Sequence, residues 1–164
     1  MISKTMQDVI NEQINKELFS AYLYLSMSAH FETKNLGGFA KWLRVQAKEE
    51  QEHAMKFFDH LLERGGTVVL KALKTPAAEW KSNLEAFKEV LAHEEMISAS
   101  INNLYEIALK EKDYPAQVML QWFINEQVEE EKNANDILAQ LGMIDAHGTA
   151  VLMLDKALGK REDD

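Results

Sequence analysis

No cysteine occurs anywhere in the 164 residues, which excludes disulfides, zinc ribbons, thiolate catalysis and iron–sulfur clusters. Proline appears only at Pro76 and Pro115, and there are seven glycines. The stretches between them are long runs of good helix formers, so the fold class is all-α. No apolar run is long enough to span a bilayer. The segment Met1-Ile2-Ser3-Lys4-Thr5-Met6-Gln7-Asp8 lacks the apolar core of a secretion signal. Positive charge is also scarce, with 27 acidic residues against 18 basic ones and a net charge of −9. Such a surface repels nucleic acid and anionic lipid and attracts cations. The expectation is a soluble cytoplasmic protein, with neither nucleic acid nor a membrane among its partners. Its length suits one domain with a full core.

What the chain does have is centred on Lys48-Glu49-Glu50-Gln51-Glu52-His53. Glu50 and His53 are one helical turn apart and project to the same side. Phe39, Leu43, Gln46, Glu50, His53, Phe57 and Leu61 follow at steps of three and four, the spacing of a helix face turned to a core. A carboxylate and an imidazole therefore interrupt an otherwise largely apolar stripe. Burying them uncompensated is costly, and a metal ion is the natural compensation. A single Glu-x-x-His is a weak signal; its weight depends on what the other helices place opposite it.

In chain order, Thr5 with Asp8 resembles a capping box that opens a helix running to about Thr33. Its inward stripe is Met6, Ile10, Gln13, Glu17, Tyr24, Met27 and Phe31. Lys34-Asn35-Leu36-Gly37-Gly38 is a short turn, which makes the second helix antiparallel to the first. The second helix stops at Arg64-Gly65-Gly66, a glycine C-terminal signal. A connection of about 16 residues, extending up to roughly 50 Å, then precedes the third helix and can run the length of a bundle. The flanking helices can thus be parallel. Val68, Val69, Leu70 and Leu73 in this crossover pack as it passes or meet a second subunit. The third helix, about Asn83 to Lys110, carries the stripe Phe87, Val90, Glu94, Ile97, Ile101, Leu104 and Ala108. His93 is off this stripe and reads as partly exposed, not as a ligand, and Glu95 reads as surface. Asp113-Tyr114-Pro115 opens the fourth helix, with Pro115 in the first turn. Its stripe is Ala116, Leu120, Phe123, Gln127, Glu130, Ala134, Ile137 and Leu141, and it ends at Gly142. Beyond a loop with His147 and Gly148, Thr149–Leu158 is a short helix apolar around most of its girth. The core is already complete without it, so it predicts oligomerisation. The chain closes on the acidic tail Glu162-Asp163-Asp164.

Glu17, Glu50, Glu94 and Glu130 each fall within about one turn of the midpoint of their own helix. In a bundle those midpoints share one height. Four carboxylates and one imidazole therefore meet in a single layer, with Tyr24 and Gln127 beside them. A polar layer that merely sets register is the alternative, but four like charges repel too strongly without cations. Bridging carboxylates with one imidazole suit hard to intermediate divalent ions; iron with dioxygen fits, and zinc would tolerate the same donors.

With these residues in place, the sequence resembles the haem-free bacterial ferritins over essentially its whole length. The pattern that carries the resemblance is Glu17…Tyr24, Glu50-x-x-His53, Glu94 and Asn125-Glu126-Gln127-x-x-Glu130. It implies a ferritin-like four-helix bundle, residues 1–145, with a long crossover between the second and third helices. Residues 146–164 would add a short fifth C-terminal helix and tail. It further implies a homo-oligomeric cage of twenty-four subunits that oxidises Fe(II) with O2 or H2O2 at a dinuclear centre and stores a ferric oxyhydroxide mineral. On that resemblance Glu17, Glu50 and His53 hold the first iron. Glu50 bridges to a second iron held with Glu94 and Glu130, and Gln127 orients oxygen or water. Glu49, Glu126, Glu129 and Glu130 match a third iron site. Tyr24 would be the redox-active aromatic, with Trp122 near it; plain core packing is the alternative for both rings.

The departures are informative. The second Glu-x-x-His of bacterioferritins and rubrerythrins is absent from the fourth helix. The methionine that binds haem in bacterioferritins corresponds to Glu52, so no haem is expected. The acidic residues of the threefold channels in animal ferritins correspond to Gln117 and Leu120, which argues against a strong acidic funnel there. A soluble di-iron oxidase that stores nothing is the competing function.

Overall fold

The computed structural model describes residues 1–144 and 147–162. They form five helices: α1 (Lys4–Thr33), α2 (Gly37–Glu63), α3 (Asn83–Lys110), α4 (Tyr114–Ile144) and α5 (Gly148–Leu158). The start of α1 departs from expectation. Ser3, not Thr5, is its cap, with Oγ accepting from the Met6 amide at 3.1 Å. Asp8 instead pairs with Lys4 one turn earlier. At the other limit, α4 runs two residues past Gly142, to Ile144. The expected boundary between residues 145 and 146, and the tail residues Asp163 and Asp164, lie outside the described residues.

Each long hairpin closes on a tight turn with one non-glycine residue in the left-handed region, Asn35 (φ 57°) between α1 and α2 and Lys112 (φ 54°) between α3 and α4. Gly65 (φ 73°) ends α2, where the amides of Gly65 and Gly66 bond back to Leu62 and Leu61. Contacts across the bundle fix the directions. Going up α1, Lys16 meets Ser100, Ser20 meets His93 and Tyr24 meets Glu94, so α1 and α3 are antiparallel. Going up α2, Gln46 meets Glu130, His53 meets Glu126 and Phe57 stacks on Phe123, so α2 and α4 are antiparallel and α2 and α3 parallel.

The crossover that makes this possible is laid along α1. Gln7 accepts from the Thr67 amide, Asn11 bonds both the Thr67 carbonyl and the Val69 amide, and Ser26 donates to the Ala77 carbonyl. Side chains of α1 thus satisfy backbone groups of a segment that forms neither helix nor strand among the described residues. Its outward side chains Val69, Leu70 and Leu73 are exposed. At the base of the bundle, Arg64 grips Asp113 through both carboxylate oxygens, at 2.8 and 3.2 Å. Burial pushes Asp113 up, but the Arg64 and Ala116 hydrogen bonds more than offset this and hold it below its usual value.

The core is in two parts. One cluster gathers Met27, Phe31, Phe39, Leu43, Phe87 and Leu141 with their neighbours, and the other Ile10, Ile14, Phe57, Ile101, Leu120 and Phe123. The polar layer separates them. Helix α5 docks on the start of α2, whose own cap, Leu36, supplies no side-chain acceptor. Asp155 of α5 fills that role by accepting from the Phe39 amide at 2.9 Å, a carboxylate at the positive end of the helix dipole. The approach is close enough that a Cβ on Gly38 would lie 1.7 Å from the Asp155 carbonyl oxygen.

Candidate metal centre

All four long helices contribute to the layer between the two apolar clusters. Glu17, Glu50 and Glu94 are each 1% exposed and Glu130 and His53 5%. One ligand atom each from Glu17, Glu50 and His53 lies within 4.8 Å of the others, and the same holds for Glu50, Glu94 and Glu130. Glu50 belongs to both triplets. A third grouping, His53, Glu126 and Glu130, opens toward the rim, since Glu126 is partly exposed.

Hydrogen bonds orient these groups. Gln13 Nε2 donates to Glu17 Oε1 at 2.7 Å, and Gln46 Nε2 donates to Glu130 Oε2 at 2.6 Å and to Glu50 Oε1 at 3.3 Å. Tyr24 donates its hydroxyl to Glu94 Oε1, and Gln127 Nε2 donates to Glu94 Oε2 at 3.1 Å. His53 Nδ1 lies 3.3 Å from Glu50 Oε2. Its ring meets Trp122 edge to face, with centroids 5.6 Å apart.

The charges are expensive to keep. Burial, then the facing carboxylate of Glu50, pushes Glu17 well above the usual carboxylate range; burial, then Glu94 and Glu130, does the same to Glu50. Burial raises Glu94 to about 7 against the opposing hydrogen bonds from Tyr24 and Gln127. Burial and the charge of Glu94 take Glu130 to about 8. Tyr24 is likewise raised, by burial and by Glu94. One atom exposes the imbalance: Glu17 Oε2 is buried and has no hydrogen-bond partner. Facing carboxylates with an unpaired oxygen call for protons or a cation between them. With four carboxylates and one imidazole in reach, the donor set fits hard to intermediate divalent metals.

A family model described as a ferritin-like domain matches residues 7–144. The chain belongs to the ferritin family. This ferritin is 40% identical over 159 residues to a probable bacterial non-heme ferritin-like protein of Haemophilus influenzae, covering 97% of this chain and 96% of that one. It is 38% identical over 161 residues to a bacterial non-heme ferritin of Bacteroides fragilis, covering 98% and 100%. Among solved structures it is similar to an open-pore ferritin of the hyperthermophilic archaeon Archaeoglobus fulgidus, at 48% identity, a TM-score of 0.97 and 99% coverage of both chains. A closed form of that archaeal ferritin engineered by site-directed mutagenesis matches at 47% identity and a TM-score of 0.98, over the whole of both chains.

Within this ferritin the structure brings Glu17, Tyr24, Glu50, His53, Glu94, Gln127 and Glu130 into one buried layer. It does not gather the remaining candidates as tightly. Glu126 reaches His53 and Glu130, whereas Glu49 and Glu129 join no such group among the described residues. Glu129 is exposed, and Glu49 is bound by Arg161. Tyr24 is fully buried against Glu94, while Trp122 is 39% exposed with Lys56 Nζ 3.5 Å above its ring.

His93 is a correction: it is buried, not partly exposed, because α1 covers that side of α3 as well. Its Nε2 is 2.7 Å from Ser20 Oγ, and burial lowers its pKa to about 4. Four residues that shape the site had no assigned part in it: Gln13, Gln46, Ser100 and Arg161. The signal for two of them was present, because Gln13 precedes Glu17 by four residues and Gln46 precedes Glu50 by four. That spacing puts an amide beside a carboxylate on one helix face.

Proposed function

We propose that this iron-storage subunit oxidises Fe(II) at the buried layer and, in a cage of twenty-four copies, keeps the Fe(III) product as an oxyhydroxide mineral. The observation that carries this reading is the pair of donor triplets sharing Glu50, at a place where Glu17 Oε2 has no other partner. Glu17, Glu50 and His53 would receive one ferrous ion, and Glu50, Glu94 and Glu130 the other. Iron is the substrate and the cargo.

The residues supply charge and protons. As ferrous ions arrive, protons held on the raised carboxylates, among them Glu94 and Glu130, leave and the anions neutralise the metal. Oxidation of two ferrous ions releases two electrons. Dioxygen takes both with two protons and leaves as hydrogen peroxide, or peroxide takes them with two protons and leaves as two waters. The carboxylates offset the added positive charge on the ferric ions. Gln127 and Tyr24, both bonded to Glu94, hold that carboxylate in a single orientation. Among the described residues no helix is long and apolar enough to cross a membrane, and the acid-rich surface fits a cytoplasmic store better than a nucleic-acid or membrane partner.

The deciding experiment is anaerobic Fe(II) loading of the metal-free protein followed by air, with absorbance and particle mass recorded together. A fast ferric signal that stays within a particle of about twenty-four subunits is the expected result. Fast oxidation with iron precipitating outside would indicate a soluble oxidase instead. Oxidation no faster than in buffer would refute the ferroxidase reading.

A further inference from the structure

Arg161 lies beyond α5, yet it reaches the wall of the metal layer. Its Nη2 donates to Glu49 Oε2 at 2.5 Å, and its Nη1 to Gln46 Oε1 at 2.9 Å and the Trp42 carbonyl at 3.5 Å. The guanidinium carbon sits 4.6 Å from the Trp42 ring centre. With side chains only 19% and 24% exposed, Arg161 and Glu49 are shielded from water on most sides, so theirs is more than a surface pair. Gln46 ties this corner to the layer by direct contact, and Glu49 does so by its charge. Gln46 turns its amide nitrogen onto Glu130 and Glu50 while its oxygen accepts from Arg161. The charge of Glu49 also reaches Glu130. Arg161 is held there by the docking of α5, through Asp155 on the Phe39 amide and Lys41 on the Gly159 carbonyl.

We propose that Arg161 is a positioning residue that acts as an internal counter-cation: it holds Glu49 at the edge of the layer and surrenders it when a further divalent cation binds between Glu49, Glu126 and Glu130. Occupation of this outer position is then coupled to loosening of the chain after α5, because one carboxylate cannot satisfy both the guanidinium and the metal in the same geometry. Arg161 and the incoming ion are alternatives at Glu49, so removing the first favours the second. This inference rests on the reading of the layer as a divalent-cation site.

The test is a calorimetric zinc titration of the assembled protein, wild type against R161Q and R161K, after particle mass and helix content have been matched. Zinc is redox-inert and reports binding alone. Two tight equivalents per subunit are expected in all three proteins. A third, weaker step should tighten by about tenfold in R161Q, the factor that a partly buried charge-assisted pair is worth. It should return at least half-way to the wild-type value in R161K, which keeps the charge; general loosening of the tail would not be rescued in this way. In the wild type, the amides of Lys160 and Arg161, which bond Ala157 and Leu158, should exchange faster once the third equivalent is added and not before. An unchanged third step in R161Q, with the two tight sites intact, overturns the proposal and leaves the layer standing. Absence of the two tight equivalents in the wild type overturns the layer reading and this proposal with it. Should R161Q fail to assemble, the exchange measurement on the wild type decides alone, and unaltered exchange overturns the coupling.

Discussion

On the α1–α3 side of the layer, Gln13 donates to Glu17 and is itself held by Ser100, which also accepts from Lys16. On the α2–α4 side, Gln46 donates to Glu130 and Glu50 and is held by Arg161, from beyond α5. The same device, a glutamine one turn before a glutamate, is anchored inside the bundle in one case and by the carboxy-terminal segment in the other. The first half is therefore set by the packing of the four helices. The second also depends on an 11-residue helix staying docked at Gly38. Two donor groups that share Glu50 thus have differently anchored walls, one held within the bundle and one from the carboxy-terminal segment.

The largest expected effect removes what the two halves share. Glu50→Ala should lower the rate of Fe(II) oxidation by about a hundredfold, as when a group that meets developing charge is lost. It should also abolish most of the rise in melting temperature caused by zinc; stopped-flow absorbance and a thermal melt would show both. A retained zinc response would mean that the halves bind independently.

Next is pH. A carboxyl whose folded pKa is raised adds stability below its unfolded pKa, and that stability is lost as pH rises through the folded value. For Glu94 and Glu130 the windows run from 4.5 up to about 7 and about 8. The metal-free protein should lose on the order of 3 kcal/mol across this range for Glu94 alone, with losses that do not add between facing groups. Urea unfolding at both ends of the window measures it. Saturating zinc should flatten or reverse the slope, because metal binds the deprotonated form.

A smaller effect separates the walls. Gly38→Ala forces α5 off α2 and should cost about 1–3 kcal/mol, as overpacking does, read from thermal melts. Its effect on zinc binding should be confined to the weaker third step. A last contrast is between the two aromatic rings. Tyr24→Phe deletes a donor to a buried carboxylate and should cost about 1.5–3 kcal/mol. Trp122→Phe, at a partly exposed position, should stay within roughly 0.5 kcal/mol. Equal costs in denaturant titrations would remove the distinction.

Much of this was legible from spacing. The buried residues of α4 are Ala116, Leu120, Phe123, Gln127, Glu130, Ala134, Ile137 and Leu141, the positions that steps of three and four mark out in the sequence. Helical periodicity finds a face turned toward a single core. It fails for His93, because α3 is covered on a second side by Ser20 and Phe19 of α1. It fails at the first cap because Ser3 and Thr5 are both plausible and only the backbone path chooses. Arg161 was beyond its reach altogether. The partner, Glu49, is 112 positions away, and no local pattern encodes a contact that depends on where a fifth helix docks.

The crossover laid along α1 has a consequence for how the chain folds. Each hairpin is built from neighbours in sequence and needs little loop closure, whereas bringing α2 and α3 side by side in parallel means closing a long connection first. The anchors Gln7, Asn11 and Ser26 let that segment zip onto a helix already formed, one contact after another. Two hairpins forming early and a strap joining them late is the folding order this arrangement favours. A nick in the exposed part of the strap should then leave the two hairpins associated.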